Sequence, residues 1–106
     1  MAKAILIVES NPADTGAESQ YNEWYERTHI PEIIAKVPGI TGAKRYTLSS
    51  VTPGSSYRYL AVYDVEAADP SSVVHTMMAL MTDGALTMSP ALQADPAPVV
   101  RLYDQL

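Results

Sequence analysis

The chain alternates between short apolar segments typical of strands and longer segments with the periodicity of helices. Ala4–Val8 is short, continuous and rich in β-branched residues, which predicts a strand buried on both faces. From Ala17 onwards the i, i+3, i+4, i+7 spacing predicts a helix with one apolar stripe, formed by Tyr21, Trp24, Tyr25 and Thr28. Because Pro31 lies in this pattern and lacks a backbone donor, we expect a kink, or a break followed by a short helix over Glu32–Val37.

Three more strands are predicted further along the chain. Thr41–Ser49 is the second, and Tyr57–Val65 is the third and the clearest, being aromatic and β-branched throughout. A turn over Thr52–Ser55 separates these two strands. The last strand is Val99–Tyr103, which follows an irregular stretch over Ala85–Pro98 that contains three prolines.

A second helix is predicted between the third and the last strands. Asp69 can cap it, and Pro70 suits its first turn. Asp83-Gly84 provides the signal for its end. Its apolar stripe comprises Val73, Val74, Met77, Met78 and Met81.

The order of elements is therefore β-α-β-β-α-β, the ferredoxin-like motif of the α+β class. Two helices cover one face of a four-stranded antiparallel sheet in this fold, yet the first and third strands are apolar on both faces. An uncovered apolar sheet face is rare on soluble monomers. A second copy of the same sheet, packed face to face, is the simplest cover, so we predict a homodimer.

Composition narrows the classes of function. A length of 106 residues fits one domain spanning 1–106, and the absence of cysteine excludes disulfides and thiolate metal sites. Twelve acidic against seven basic side chains argue against nucleic acids and anionic membrane surfaces as partners. No apolar run has the length of a membrane helix or a signal-peptide core, so we expect a cytoplasmic protein.

His29 is the first candidate for chemistry. At helical spacing it lies near Tyr25 and Asn22, beside the expected irregularity at Pro31. An imidazole titrates near neutrality and is therefore suited to proton transfer. The structural alternative is a histidine that caps the kink or donates to a carbonyl freed by it.

The other candidates are aromatic or flexible side chains. Tyr59 and Tyr63 share one strand face and are core or interface residues by default, but a tyrosine in a pocket also offers a hydroxyl donor. Tyr46, on the second strand, is an independent candidate for that role. His75 and Met78 lie on the second helix. The simpler interpretations are that His75 is half-exposed at the surface and that Met78 is an adaptable core side chain.

Several cofactor classes have no signal in the sequence. Two histidines that lie far apart in the sequence do not form a transition-metal site. The sequence contains no glycine-rich phosphate loop, no dinucleotide fingerprint and no nucleophile elbow. We therefore expect neither a metal nor another cofactor.

Two segments of the chain resemble a known protein family. Asn22–Glu32, followed by Val37-Pro38-Gly39-Ile40, resembles the first-helix signature of EthD-like proteins in the dimeric α+β barrel superfamily. The signature reads Asn-x-Trp-Tyr-x-x-x-His-hydrophobic-Pro and leads to Pro-Gly-hydrophobic. Tyr59–Val65 similarly resembles the third strand of that group. With the order of elements, the resemblance covers most of the chain except Ala85–Pro98.

The resemblance implies a homodimer whose two sheets close into a barrel, with a pocket between sheet and helices in each subunit. Members include cofactor-free monooxygenases, polyketide cyclases, lactone isomerases, lyases and proteins of unknown role. The resemblance also implies that His29 is catalytic or orients the substrate, with Asn22, Trp24 and Tyr25 around it.

Two functional hypotheses follow. The first is an acid–base enzyme for a small, apolar, aromatic or polyketide-like carbonyl compound, of the cyclase, isomerase, lyase or monooxygenase type. Its catalytic residues would be His29, Tyr25 and Tyr46, and its substrate-binding residues Asn22, Trp24, Tyr59, Tyr63, His75 and Met78. The second hypothesis is a non-catalytic or stress-associated accessory protein that binds an apolar small molecule in the same pocket.

Overall fold

The computed structural model describes residues 1–51 and 55–106, so most of the predicted turn over 52–55 lies outside the described residues. The strands are β1 (Ala2–Ser10), β2 (Ile40–Thr47), β3 (Tyr59–Ala67) and β4 (Val99–Asp104). The helices are α1 (Glu18–Trp24), α2 (Ile30–Lys36) and α3 (Pro70–Thr82), with a 3₁₀ turn over Thr15–Ala17 and a π turn over Tyr25–His29.

The four strands form one antiparallel sheet in the order β2-β3-β1-β4. Leu6 in β1 pairs with Tyr63 in β3 and with Leu102 in β4. This arrangement confirms the predicted α+β class and the ferredoxin-like order of elements. β2 ends two residues earlier than predicted and β3 begins two residues later, because their pairing stops at Thr47 and Tyr59.

Pro31 does not break the first helix, which continues from α1 through the π turn into α2. The backbone N–H of Ile30 donates to the carbonyl of Tyr25, five residues earlier. A proline ring crowds the carbonyl four residues before it, here that of Arg27, and the wider π turn accommodates that crowding without ending the helix. His29 is the last residue of this π turn.

The core lies between the helices and one face of the sheet. Alternation along the two central strands buries one set of side chains against the helices, while the other set forms the face without helices. The buried set on these strands comprises Ala4, Leu6, Val8, Ala61, Tyr63 and Val65, and the helices contribute Tyr21, Trp24, Tyr25, Ile33, Val73 and Met77.

The other sheet face, hereafter the open face, is not covered within one chain. The sequence predicted burial of β1 on both faces, but Ile5 is 39% exposed and Ile7 is only partly buried. Ile7 pairs with Val62 at the centre of this face. Alternation and register give this face an apolar centre made of Ile5, Ile7, Leu60 and Val62, flanked by Tyr46 and Tyr103.

Helix ends match the expected signals. The carboxylate of Asp69 accepts a hydrogen bond from the backbone N–H of Ser71 and so caps α3, with Pro70 in its first turn. Gly84 follows α3 with a φ of +73°, and Gly39 follows α2 with a φ of +98°. Both positions favour glycine because a Cβ is strained at positive φ.

Candidate functional site

The π turn carries His29 into the interior, where the side chain is only 6% exposed. Its imidazole stacks on the indole of Trp24, with ring centroids 4.3 Å apart and an interplanar angle of 23°. The ring of Tyr25 meets it edge-on, with centroids 5.1 Å apart. These contacts hold the imidazole plane in one orientation.

A small cavity of about 30 Å³ lies beside His29, between the sheet, the π turn, α2, α3 and the segment 85–98. This volume accommodates little more than one water molecule. Its walls are almost entirely apolar. They comprise Val8, Tyr25, His29, Ile33, Tyr63, Met77, Met81, Met88, Leu92, Pro98 and Val100.

Two residues of this wall carry polar atoms without a partner. The Nδ1 atom of His29 and the hydroxyl of Tyr63 are buried and make no hydrogen bond among the described residues. A buried polar atom without a partner is costly, so each of these two atoms calls for a water, a ligand or a catalytic role. The cavity therefore combines apolar walls with two residues that can bond a ligand.

Burial sets the protonation states of both groups. It lowers the pKa of His29 from 6.5 to about 4, against the opposing effect of the Glu32 carboxylate, so the imidazole is neutral at pH 7. Burial also raises the pKa of Tyr63 above its ordinary value of 10, which keeps the phenol protonated. The site thus presents a neutral imidazole and a hydroxyl donor.

Tyr25 also lines the cavity, and burial raises the pKa of its phenol to about 12. The guanidinium of Arg45 lies over its ring, 4.7 Å from the centroid. Arg45 also donates to the Asn22 side-chain oxygen at 2.8 Å and lies 3.6 Å from the Glu26 carboxylate. Asn22 is therefore a partner of Arg45 and is not part of the cavity wall.

Arg45 was not predicted as a site residue. Strand alternation along β2 is the signal that could have indicated it, because Arg45 pairs with Ala61 and so lies on the helix-facing side of the sheet. A cation on a buried face requires compensation, which the aromatic rings and Glu26 supply.

Contacts between rings link Trp24, Tyr25, Tyr21 and Tyr59 into one aromatic cluster. Tyr59 lies outside the cavity, at the end of this cluster away from Trp24. Its ring packs 5.1 Å from that of Tyr21, and its hydroxyl donates to the Glu18 carboxylate at 2.5 Å. Hydrogen bonds from Tyr59 and Arg58 lower the pKa of Glu18. The Tyr21 hydroxyl shares a 2.5 Å hydrogen bond with Ser10. The hydroxyl groups in this part of the cluster therefore all have hydrogen-bond partners.

Besides Asn22 and Tyr59, three further predicted site residues lie away from the cavity. Tyr46 pairs with Leu60 on the open face and is 51% exposed, so the sheet separates it from the cavity. Met78 is 44% exposed and His75 is also exposed, and neither lines the cavity. Strand alternation explains the position of Tyr46, and the narrow buried stripe of α3, which includes Val73 and Met77, explains the other two.

Among residues 1–51 and 55–106, no cluster of three or more His, Cys, Asp or Glu side chains is placed to hold a metal ion. No helix in this part of the chain is long and apolar enough to cross a membrane.

Comparison with known proteins identifies the fold. No protein-family model matches the sequence, and no curated protein matches it significantly. Several solved structures, however, match over almost the whole chain. An EthD family protein from Bacillus halodurans is 18% identical with a TM-score of 0.63, and all of both chains is covered.

Two other matches have the same architecture. A proposed monooxygenase from Shewanella loihica is 14% identical with a TM-score of 0.60, covering 100% of this chain and 97% of that one. A dimeric ferredoxin-like protein of unknown function from Jannaschia is 15% identical with a TM-score of 0.60, covering 97% and 99%. The expected EthD-like resemblance is thus confirmed at the level of the fold.

Proposed function

We propose that this protein is an acid–base enzyme that transfers a proton on an apolar, aromatic or polyketide-like carbonyl compound. The observation that carries the proposal is the unpaired Nδ1 atom of buried His29, in a cavity shared with the unpaired hydroxyl of Tyr63. The chain's own side chains supply the base and the donor in this chemistry, without a cofactor. The similarity in fold to a proposed monooxygenase and to EthD family proteins is consistent with it.

Each residue then has one task. The lone pair of Nδ1 on neutral His29 accepts a proton from the carbon next to the carbonyl, and the C–H electron pair moves into an enolate. Tyr63 donates a hydrogen bond to the enolate oxygen as its negative charge develops. The new imidazolium and the enolate attract each other, which raises the basicity of His29 in the complex above its value in the closed cavity.

The fate of the enolate decides the type of reaction. Return of the proton at another atom is isomerisation, whereas attack on a second carbonyl is cyclisation. Expulsion of a leaving group is a lyase reaction, and a cofactor-free oxygenation begins with the same deprotonation. His29 and Tyr63 support this shared first step, and Tyr25 holds the imidazole through its edge-on contact.

Tyr63 provides the direct test of this proposal. Exchange of α-hydrogens for deuterium, followed by NMR over a panel of apolar ketones and lactones in D₂O, measures the shared step. We expect Tyr63→Phe to slow exchange about 10²-fold, because the enolate loses its donor. The variant should remain at least as stable as wild type, because the deleted hydroxyl is buried and unpaired.

Two controls distinguish the enzyme hypothesis from the hypothesis of a binding protein. Tyr46→Phe alters a hydroxyl on the open face and should leave exchange unchanged. If wild type binds panel compounds but accelerates the exchange of none, the accessory-binding hypothesis replaces the enzyme.

We also propose that the open face is the interface of a homodimer. Its apolar centre is bordered by charges of both signs, Arg101 paired with Glu9 and Lys3 with Glu66, so no excess of one charge repels a second copy of this face. The Jannaschia structure with this fold is dimeric, which supports the proposal.

Val62→Glu is expected to convert the protein to a monomer, because the substitution brings like charges together at the centre of an apolar interface. Sedimentation velocity at micromolar concentration measures this change. Ala79→Glu, on an exposed position of α3, should leave the dimer intact. A monomeric wild type would rule out the proposed interface.

A further inference from the structure

A surface groove of about 610 Å³ lies directly outside the His29 cavity. It runs between α1 with the π turn and residues 88–90. Trp24 and Met88 both line it, and Met88 also lines the inner cavity. Met88 is 42% exposed although it forms part of the cavity wall. It therefore separates a groove that is large enough for an organic substrate from a cavity that is not.

Thr87 fixes the position of Met88. The carboxylate of Glu32 accepts hydrogen bonds from the Thr87 backbone N–H and, at 3.0 Å, from the Thr87 hydroxyl. The indole N–H of Trp24 donates to the Thr87 carbonyl at 2.9 Å. Lys36 adds a hydrogen bond to the Ala85 carbonyl at 2.7 Å.

Glu32 thus acts on the site through Thr87. It holds Thr87, whose carbonyl holds the indole that stacks on His29, and whose neighbour Met88 closes the cavity. A hydrogen bond to a carboxylate is among the stronger ones available to a loop, and Glu32 accepts two of them from Thr87. The thioether side chain of Met88 is flexible enough to swing aside once the backbone moves.

We infer that the Glu32–Thr87 contact is a latch that holds Met88 between groove and cavity, and that its release joins them into one substrate site. The substrate part of this inference rests on the proposed function, whereas the opening itself does not. Glu32 and Thr87 are positioning residues, and the groove between α1 and residues 88–90 is the entrance. A substrate seated there reaches His29 past the edge of Trp24.

Trp24 is the only tryptophan, so its fluorescence reports on this region alone. We expect Glu32→Ala, which removes both hydrogen bonds from Thr87 to the carboxylate, to shift the opening equilibrium and so raise the rate constant for acrylamide quenching at least about tenfold. Thr87→Val removes one donor with little change in volume and should give a smaller increase. Glu66→Gln, which loses a comparable lysine pair on β3, is the matched control and should quench like wild type.

Met88 allows a test that leaves the latch intact. Met88→Ala should also increase quenching, because it removes the barrier itself. Met78→Ala, at a methionine of similar exposure on α3, should not. If Glu32→Ala, Thr87→Val and Met88→Ala all remain folded by circular dichroism and quench like wild type, the latch is refuted.

The pKa of His29, followed by NMR with His75→Gln for assignment, separates two roles of Glu32. Tyr25 from the π turn, Tyr63 from β3 and Glu32 from α2 face the imidazole, and Glu32 is the charge that acts on it. Opening readmits water, so Glu32→Ala should move the pKa of His29 up towards 6.5. A downward shift would mean that Glu32 acts only through its charge, which overturns the latch. None of these measurements requires turnover, so a failure of the proposed function leaves them interpretable.

Discussion

Replacing His29 by glutamine is expected to slow deuterium exchange at the substrate α-carbon by about 10²–10⁴-fold, the contribution of a positioned general base. Glutamine has a similar size and hydrogen-bonding capacity, but its amide cannot accept a proton at neutral pH. His29 is 6% exposed and stacked on Trp24, so a substitute of similar volume preserves the packing. The loss therefore reports the chemistry of the imidazole.

The pH profile of the exchange reaction sharpens this prediction. Because burial lowers the pKa of His29 to about 4, the free enzyme should gain activity as pH rises through about 4. An unperturbed histidine would place this limb near 6.5. His75→Gln is the matched control and should retain both the rate and the limb. Equal rates in wild type and His29→Gln would remove the base from the proposed mechanism.

Acidification is expected to destabilise the fold through the same imidazole. The unfolded chain binds a proton at His29 below pH 6.5, whereas the folded protein does so only below about 4, so unfolding is favoured as pH falls between these values. This contribution to the free energy of unfolding is fully present above pH 6.5 and lost by about pH 4. The difference of about 2.5 pKa units corresponds to about 3 kcal/mol.

Urea unfolding of wild type and His29→Gln between pH 4 and 7 measures this linkage. Carboxylates such as Glu18, whose pKa is lowered by hydrogen bonds, contribute a loss in the same direction to both proteins, so the difference in slope is the result to compare. The variant should lose about 3 kcal/mol less than wild type over this range. Parallel slopes would show that His29 is not buried in its neutral form.

Most of the fold follows from local pattern. Period-two alternation in Tyr59–Ala67 and the capping signals at Asp69 and Gly84 identify elements without reference to distant residues. The π turn is different, because a proline in a helical pattern is compatible with a break in the helix or with a continuous helix that includes a wider turn. The structure has the continuous helix, and sequence periodicity does not contain that information.

The candidate site likewise has one part that local sequence predicts and one part that depends on tertiary structure. The sequence alone determines that His29 lies one turn from Tyr25 on the first helix, since helical spacing is a local property. Tertiary structure decides that Tyr63 joins it and that Tyr46 does not, because strand register assigns the two tyrosines to opposite faces of the sheet. Thr87 reaches Glu32 across 55 residues of sequence, and only chain packing brings an irregular segment to that carboxylate. Contacts of this kind depend on where the sheet and helices place the chain, so no local pattern predicts them.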